Sequence, residues 1–399
     1  MQKVDKNHPT TEWIEQIRRT YPCEAEIDRV LTRKLQQRAG PAYTPVSLEE
    51  LTAGVTALLS TQLKDVFTIT QARWMTGGAS KLQMSFMLEW NAPGVGRTIT
   101  PLILRMEPSA SIVETSRRRE FQVIQALTGH VPVPQAYWCD AEAKFLPHPA
   151  IVYGFVDGVT KPSDGASGVS GIGTYFPPDV RTALGQQFVS HMATMHLFDW
   201  RTASLDTFDK PSVGTTAAAE LQLNWWERVW EEDVHEDMPL LRLAIGWMRQ
   251  NLPTLDHVSI VHGDLRTGNF LYDEASNRIT AFLDWETAHL GDRHEDLVYM
   301  TNAPYRQLAD DGKTYLLGGL MTQEAFFEAY EKASGLPILP TSLKFYKVLN
   351  VLKIAAVVHA TGYRGARCAK THQDLVLAWV MGFAPIVLDE LRRTLEEIL

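Results

Sequence analysis

Three side chains between residues 260 and 285 have the oxygen atoms and the spacing that phosphate chemistry requires. Asp264 and Asn269 stand in a short loop between the apolar residues 260–261 and 270–271, and Asp284 ends the next apolar run. Apolar runs bounded by turn residues are typical of strands, so the three residues should stand at strand ends. Phosphoryl transfer needs a carboxylate that orients the attacking hydroxyl and accepts its proton, and oxygen ligands that hold Mg²⁺ on the phosphates. We assign the first role to Asp264 and the second to Asn269 and Asp284, since a carboxylate and a carboxamide suit a hard cation.

The same segment resembles the motif of a known family. His-Gly-Asp, four further residues and Asn, followed fifteen residues later by the Asp of Leu-Asp-Trp, is similar to the pattern of the aminoglycoside phosphotransferase and choline kinase superfamily. These proteins are small-molecule relatives of protein kinases. The run 283–292 resembles one branch, which includes the phosphotransferase-like domains fused to certain acyl-CoA dehydrogenases. The resemblance covers residues 47–385 and is most specific over 262–296.

The resemblance implies further site residues in the first half of the chain. In this fold a glycine-rich loop between the first two strands covers the nucleotide phosphates, because glycine lets the backbone approach them closely. At that place this chain has Gly77, Gly78, Ala79 and Ser80. The third strand carries a basic residue for the α- and β-phosphates, which is Arg105 here. Glu120, on the following helix, is its implied partner.

Arginine at position 105 departs from protein kinases, which have lysine on this strand. Arginine stays charged and can present two donors to a phosphate. The resemblance places the nucleotide base near the connector 153–156, where Phe155 is a candidate contact, and it gives Asp296 hydrogen bonds to backbone amides of the catalytic loop. Arg266, in that loop, is a candidate for stabilising charge on the γ-phosphate.

The hydrophobic pattern predicts an α+β fold. Alternating apolar and polar residues predict three antiparallel strands over 66–106, a helix over 113–127 follows, and most of the remainder is helical. The resemblance implies the two-lobed protein-kinase-like fold. We expect a helical extension over 1–65, a strand-rich N-lobe with the phosphate loop over 66–155, and a helical C-lobe with the catalytic and metal loops over 156–399.

The composition indicates a globular protein that does not bind nucleic acid. Apolar residues are 45% of the 399 residues, and the net charge of −9 comes without the long basic run that nucleic-acid binding requires. Three widely spaced cysteines favour a reducing compartment. Residues 1–20 lack an apolar signal core, and the stretches 182–198 and 375–388 are too polar or too short to cross a bilayer. We expect a cytoplasmic protein without a membrane segment, and the sequence carries no signal for its oligomeric state.

Two charged clusters each allow two interpretations. The six carboxylates between residues 227 and 237 are predicted to form a solvated helix face, and the alternative is an acidic wall for a cationic substrate such as an aminoglycoside. Arg364, Arg367 and Lys370 are predicted to lie at the surface, and the alternative is contact with a nucleotide or pantetheine phosphate.

A protein substrate is disfavoured. Protein kinases have a long activation segment that ends in Ala-Pro-Glu, but Asp296 follows Asp284 here by only twelve residues and that motif is absent. We expect Mg²⁺-dependent transfer of the γ-phosphoryl group of ATP or GTP to a hydroxyl of a small molecule. The branch resemblance implies a hydroxyacyl-CoA type of acceptor. An aminoglycoside-type antibiotic kinase and a nucleotide-binding pseudoenzyme remain alternatives.

Overall fold

A five-stranded antiparallel sheet forms the N-lobe. The computed structural model describes residues 5–41, 43–75, 81–163, 171–368, 378–379 and 381–399. The sheet has the order β1-β2-β3-β5-β4. Its strands are β1 (Thr68–Trp74), β2 (Leu82–Ala92), β3 (Gly96–Met106), β4 (Ala136–Asp140) and β5 (Ala150–Gly154). The three strands predicted over 66–106 are therefore confirmed.

Two helices cover the N-lobe sheet. Helix α3 (Leu48–Gln62) begins at a capping box of Ser47 and Glu50 and packs its apolar side against one face of the sheet. Helix α4 (Arg117–Leu127) begins later than predicted. The Ser116 side chain accepts a hydrogen bond from the Arg119 backbone N–H at 3.3 Å, and this N-cap fixes the first turn.

The C-lobe is mostly helical. Its helices are α5 (Pro178–Leu197), α6 (Ala217–Asp233), α7 (Pro239–Gln250), α8 (His294–Tyr299), α9 (Gln323–Ser334), α10 (Pro340–Ala355), α11 (Tyr363–Cys368) and α12 (Ala384–Ile398). A π-helical segment, Ala356–Gly362, joins α10 to α11. In the described ranges, no helix combines the length and the apolar character needed to cross a membrane.

Short antiparallel strand pairs hold the loops of the C-lobe. β6 (Ser259–Val261) pairs with β9 (His289–Gly291), and β7 (Phe270–Asp273) pairs with β8 (Arg278–Phe282). A third pair, β10 (Arg306–Leu308) with β11 (Tyr315–Leu317), lies further along the chain. The 264–269 loop runs from β6 to β7, so two separate pairs hold its ends.

The second and third helices pack on different lobes. Helices α1 (Thr11–Thr20) and α2 (Ala25–Gln37) precede α3, and Ile27 and Leu31 of α2 join the apolar cluster of the C-lobe. Leu51 and Val55 of α3 join the cluster beneath the N-lobe sheet. The division of the chain at residues 65 and 155 stays a prediction.

Two sequence predictions about charged clusters are wrong for part of each cluster. Glu227, Glu232 and Asp233 are buried, so half of the acidic run is not solvated, whereas Glu236 and Asp237 are exposed as predicted. The carboxylate oxygens of Asp233 lie 2.5–2.9 Å from side-chain nitrogens of Lys34, Arg38 and Arg364. Arg364 is buried too, against the prediction, whereas Arg367 is exposed as predicted and Lys370 lies outside the described residues. Distant residues supply these partners, which is why the local sequence suggested solvent exposure.

Candidate active site

The loop between β6 and β7 holds the Asp264 carboxylate through its own side chains. The amide nitrogen of Asn269 donates to Asp264 Oδ2 and to the Asp264 carbonyl oxygen, both at 2.8 Å. Arg266 Nε donates to the other carboxylate oxygen at 3.1 Å. The side chain of Asp264 remains 24% exposed, so an incoming hydroxyl can still reach it.

Asp296 fixes this loop from below, as predicted. Its carboxylate accepts hydrogen bonds from the backbone N–H groups of His262 and Gly263, each at 2.8 Å, and lies 3.1 Å from His196 Nε2. Burial alone would raise the pKa of Asp296, but the hydrogen bonds and charge of its partners hold it below the ordinary value. Gly263 adopts a φ of +79°, and a Cβ atom there would lie 2.9 Å from Thr287 Oγ1. The turn therefore requires glycine.

Lys353 of α10 contacts the same loop, and sequence reasoning missed it. Its Nζ donates to the Gly263 carbonyl at 2.7 Å and to Glu295 Oε1 at 2.6 Å. The contact joins residues 90 positions apart. No motif surrounds Lys353 that could have marked it.

Asp284 lies beside Asn269 because the two loops share a hydrogen bond. The Leu283 N–H donates to the Asn269 carbonyl at 2.8 Å, and Asp284 itself adopts a left-handed conformation with φ +66°. This turn leaves the Asp284 side chain 29% exposed. His262 supports it, with Nε2 2.9 Å from the Leu283 carbonyl oxygen. The loop 262–269 and the turn 283–287 are thus held as one unit. The turn 283–287 is called the metal loop below, after the proposed role of Asp284.

Arg105 reaches three carboxylates from β3. Its Nη2 donates to Asp284 Oδ1 and lies 3.2 Å from Glu286 Oε2, and its Nε forms an ion pair with Glu120 Oε1 at 3.5 Å. The predicted partners Arg105 and Glu120 therefore lie together. Arg105 also joins the N-lobe to the metal loop.

Glu286 is the centre of a buried charge cluster that sequence reasoning did not find. Its Oε2 lies 3.2 Å from Lys81 Nζ, 2.9 Å from Arg117 Nη2 and 3.2 Å from Arg105 Nη2. Burial alone would raise the pKa of Glu286, but these three cations hold it well below its ordinary value. The signal was its place two residues after Asp284, which puts it on the metal loop.

The predicted phosphate loop falls outside the described residues. This holds for Gly77, Gly78, Ala79 and Ser80. Lys81, the next residue, is described and buried, and its Nζ lies 2.8 Å from Glu107 Oε2. The chain that leaves the loop is therefore anchored to the charge cluster.

Two tyrosines lie on the other side of Asp264. The rings of Tyr299 and Tyr305 stack with centroids 5.4 Å apart, and the Arg266 guanidinium lies 5.4 Å above the Tyr305 ring. Burial and the charge of Asp264, to which Tyr299 is hydrogen-bonded, raise the pKa of Tyr299 well above its ordinary value. Tyr299 is thus a neutral donor to the Asp264 carboxylate.

Phe155 borders an open cleft under the N-lobe sheet. Its backbone N–H donates to the Pro101 carbonyl at 3.0 Å, just after β5 ends. The cleft has a volume of about 100 Å³, and Arg73, Ser85 and Met87 also line it. The role of Phe155 as a contact of the nucleotide base stays a prediction.

The donor set around Asp284 fits Mg²⁺. The Asn269 amide nitrogen is committed to Asp264, so the amide oxygen is the atom that remains for a cation. Together with the Asp284 carboxylate it offers the oxygen ligands that Mg²⁺ prefers. A second group of possible ligands, Asp256, Asp292 and His294, does not fit a metal. His294 Nδ1 lies 2.5 Å from Asp292 and its Nε2 accepts from the Leu339 N–H, so both ring nitrogens are occupied.

Comparison with known proteins identifies the family. Residues 90–346 match the family model described as the phosphotransferase enzyme family, APH. The chain belongs to this family. The resemblance drawn from the motif residues is therefore confirmed.

This phosphotransferase also resembles part of larger curated proteins. It is 25% identical over 268 residues to acyl-CoA dehydrogenase family member 10 of Mus musculus, which covers 64% of this chain and 24% of the relative. The chain thus spans about a quarter of that protein's length. This bears out the similarity to domains fused to acyl-CoA dehydrogenases.

Solved structures confirm the two-lobed kinase-like fold of this phosphotransferase. A putative aminoglycoside phosphotransferase from Ralstonia eutropha JMP134 superposes with a TM-score of 0.61 at 22% identity, covering 86% of this chain and 98% of the other. A thermostable mutant of the aminoglycoside phosphotransferase APH(4)-Ia, in ternary complex with AMP-PNP and hygromycin B, superposes with a TM-score of 0.51 at 13% identity, covering 84% and 98%. At these identities the likeness concerns the fold.

Proposed function

We propose that this phosphotransferase moves the γ-phosphoryl group of ATP or GTP to a hydroxyl of a small molecule. The observation that carries the proposal is the Asp264 carboxylate, which Asn269 and Arg266 orient while leaving it partly exposed beside Asp284. A general base needs this combination of fixed orientation and access.

Each side chain has one task in this mechanism. The acceptor hydroxyl binds at Asp264, which orients it and takes its proton as the bond to phosphorus forms and the bond to the leaving nucleoside diphosphate breaks. Asn269 and Asp284 would hold Mg²⁺, which screens the charge of the β- and γ-phosphates when bound. Arg105 binds the α- and β-phosphates, and Arg266 stabilises charge on the γ-phosphoryl group. Catalysis then comes from positioning and electrostatics, without a covalent intermediate.

We further propose a hydroxyacyl-CoA type of acceptor. Its support is the similarity to a part of an acyl-CoA dehydrogenase family member, in which a phosphotransferase-like segment accompanies an acyl-CoA enzyme. An aminoglycoside acceptor has less support. The acidic run that would have bound a cationic sugar instead pairs with basic side chains such as Arg249 and Arg228 inside the protein.

The test measures ADP or GDP release by the purified protein with Mg²⁺ across a panel of acceptors. The panel contains hydroxyacyl-CoA thioesters, free hydroxy acids, amino alcohols, sugars and aminoglycosides. The variant Asp264→Asn serves as the inactive form. Asp206→Asn makes the same chemical change at an exposed position and is the matched control.

We expect Asp264→Asn to lower turnover by roughly 10²–10⁴-fold, the range for loss of a general base, with little change in nucleotide affinity. Asp206→Asn should keep the parental rate. A turnover that stays within a few-fold in Asp264→Asn would overturn the catalytic assignment. Nucleotide binding without turnover on any acceptor would favour the pseudoenzyme.

A further inference from the structure

Helix α2 is anchored firmly to the C-lobe at its C-terminal end. Lys34 Nζ lies 2.9 Å from Asp233 Oδ2, and Arg38 Nη2 lies 2.5 Å from Asp233 Oδ1 on α6. All three side chains are buried, and Ile27 and Leu31 of α2 pack into the apolar cluster of the same lobe. Helix α2 therefore moves with the C-lobe.

The residues that begin α2 contact the N-lobe instead. Both carboxylate oxygens of Glu24 accept hydrogen bonds from Arg119 Nη2 of α4, at 3.2 and 3.0 Å. Glu26 accepts a hydrogen bond from the hydroxyl of Ser116, the N-cap of α4. These four side chains are buried. Two carboxylates at the N-terminus of α4 also complement its helix dipole.

The first turn of α4 contacts both the residues that begin α2 and the proposed nucleotide site. Arg117 Nη2 bonds Glu286 of the metal loop at 2.9 Å, and Glu120 forms the ion pair with Arg105 of β3. Arg119 lies between them in sequence and points to Glu24. A shift of this turn would therefore move the partners of both Arg105 and Glu286.

We propose that residues 24–38 are an intramolecular brace that positions α4, and through it Arg105, for the nucleotide phosphates. Glu24 and Arg119 are its positioning residues. The inference rests on the proposed function, since it assigns Arg105 to the phosphates. The brace segment 24–38 lies outside residues 90–346, the range that matches the family model, whereas its partner Arg119 lies inside that range.

The physical reason is the cost of moving a buried ion pair. Glu24 and Arg119 stabilise each other only in a narrow geometry, because neither can turn to water. With α2 fixed on the C-lobe, the pair holds α4 at one distance from that lobe. Kinase-like sites depend on the position of this helix for their phosphate contacts.

The test combines nucleotide binding with hydrogen exchange in the full-length protein. The variants are Glu24→Gln, Arg119→Gln and the double variant, with Glu26→Gln as a milder alternative if the first two do not fold. Glu12→Gln changes an exposed carboxylate of α1 and is the matched control. Leu395→Ala removes a buried side chain of α12 and controls for general loss of stability.

We expect Glu24→Gln to raise the dissociation constant of MgATP, measured by calorimetry, by roughly 3- to 30-fold. The double variant should bind MgATP at least as tightly as the single variant with the lower affinity, because both substitutions remove the same ion pair. The KM of the acceptor should stay within about twofold, because the Asp264 loop is not part of the brace. The amides of residues 117–121 should exchange faster in Glu24→Gln, and at the parental rate in Leu395→Ala.

Unchanged exchange at residues 117–121 in Glu24→Gln and in Glu26→Gln would overturn the brace. Equal loss of MgATP affinity in Leu395→Ala at the same melting temperature would overturn it too, since that loss would follow from stability alone. A parent protein that binds no MgATP would contradict the proposed function, while the exchange data would still decide the brace.

Discussion

The contact between Asp296 and the catalytic loop allows a quantitative prediction for Asp296→Asn. The carboxylate accepts from two backbone N–H groups at 2.8 Å, so an amide nitrogen in place of one oxygen would face a backbone donor. The variant loses one hydrogen bond to a charged group and leaves one buried donor unpaired, which together cost about 4 kcal/mol. At about 2.1 cal/mol/K per residue, this corresponds to a fall in melting temperature of about 5 °C for a chain of this length.

The same substitution should also lower turnover. Loss of one of the two bonds to His262 and Gly263 lets the loop that carries Asp264 shift, and a misplacement of about 1 Å can cost about 10²-fold in rate. Nucleotide affinity should fall less than turnover, because Arg105 is held by Glu120, although the Asp284 turn is hydrogen-bonded to the shifted loop through Leu283.

The contribution of Asp296 to stability should depend on pH in a defined direction. The pKa of Asp296 is lower in the folded protein than in the unfolded chain. Its contribution to stability is therefore present above the ordinary Asp pKa of about 3.9 and is lost as the pH falls through the lower, folded-state value. The difference in melting temperature between parent and Asp296→Asn should be full at neutral pH and shrink in strong acid. Parental melting and turnover in the variant at pH 7 would refute the reasoning, with Asp206→Asn as the control.

Two further predictions concern the metal loop and the acceptor side. Asp284→Ala removes a proposed Mg²⁺ ligand, so calorimetry should show MgATP binding weakened by at least about tenfold, while metal-free ATP binding changes less. Equal effects with and without Mg²⁺ would contradict the role as a ligand. Tyr299→Phe removes one donor from Asp264 in a buried site, so kcat should change by several-fold with MgATP affinity unchanged. A change confined to nucleotide affinity would place Tyr299 elsewhere in the mechanism.

The parts of the site that lie close together in sequence were predictable. Asp264 and Asn269 are five residues apart in one loop, and the strands around them follow from the apolar pattern. The fold class followed from the order of strands and helices together with the motif. The hydrogen bonds of Asp296 to backbone amides were predicted correctly because the family resemblance implies them.

The parts that depend on distant packing were not predictable. Lys353 reaches Gly263 across 90 residues, and Asp233 finds its cations near residues 34, 38 and 364. A charged residue in a helix is predicted to be solvent-exposed unless its ion-pair partner is known. The neighbouring sequence does not identify a partner that is distant in the chain. The start of α4 was missed for a related reason, since Ser116 is a cap only when the following turn is helical.

The burial of Asp233 bears on how this protein can be divided. The family match begins at residue 90, so a truncated protein could be designed to start there. Such a fragment would lack Lys34 and Arg38 and would leave Asp233 in the interior with Arg364 as its remaining cation among those described here. It would also uncover the apolar surface of the C-lobe on which Ile27 and Leu31 rest. The loss of two buried partners of Asp233 next to newly exposed apolar side chains favours aggregation. A fragment that starts at residue 90 should therefore aggregate more readily than the full chain.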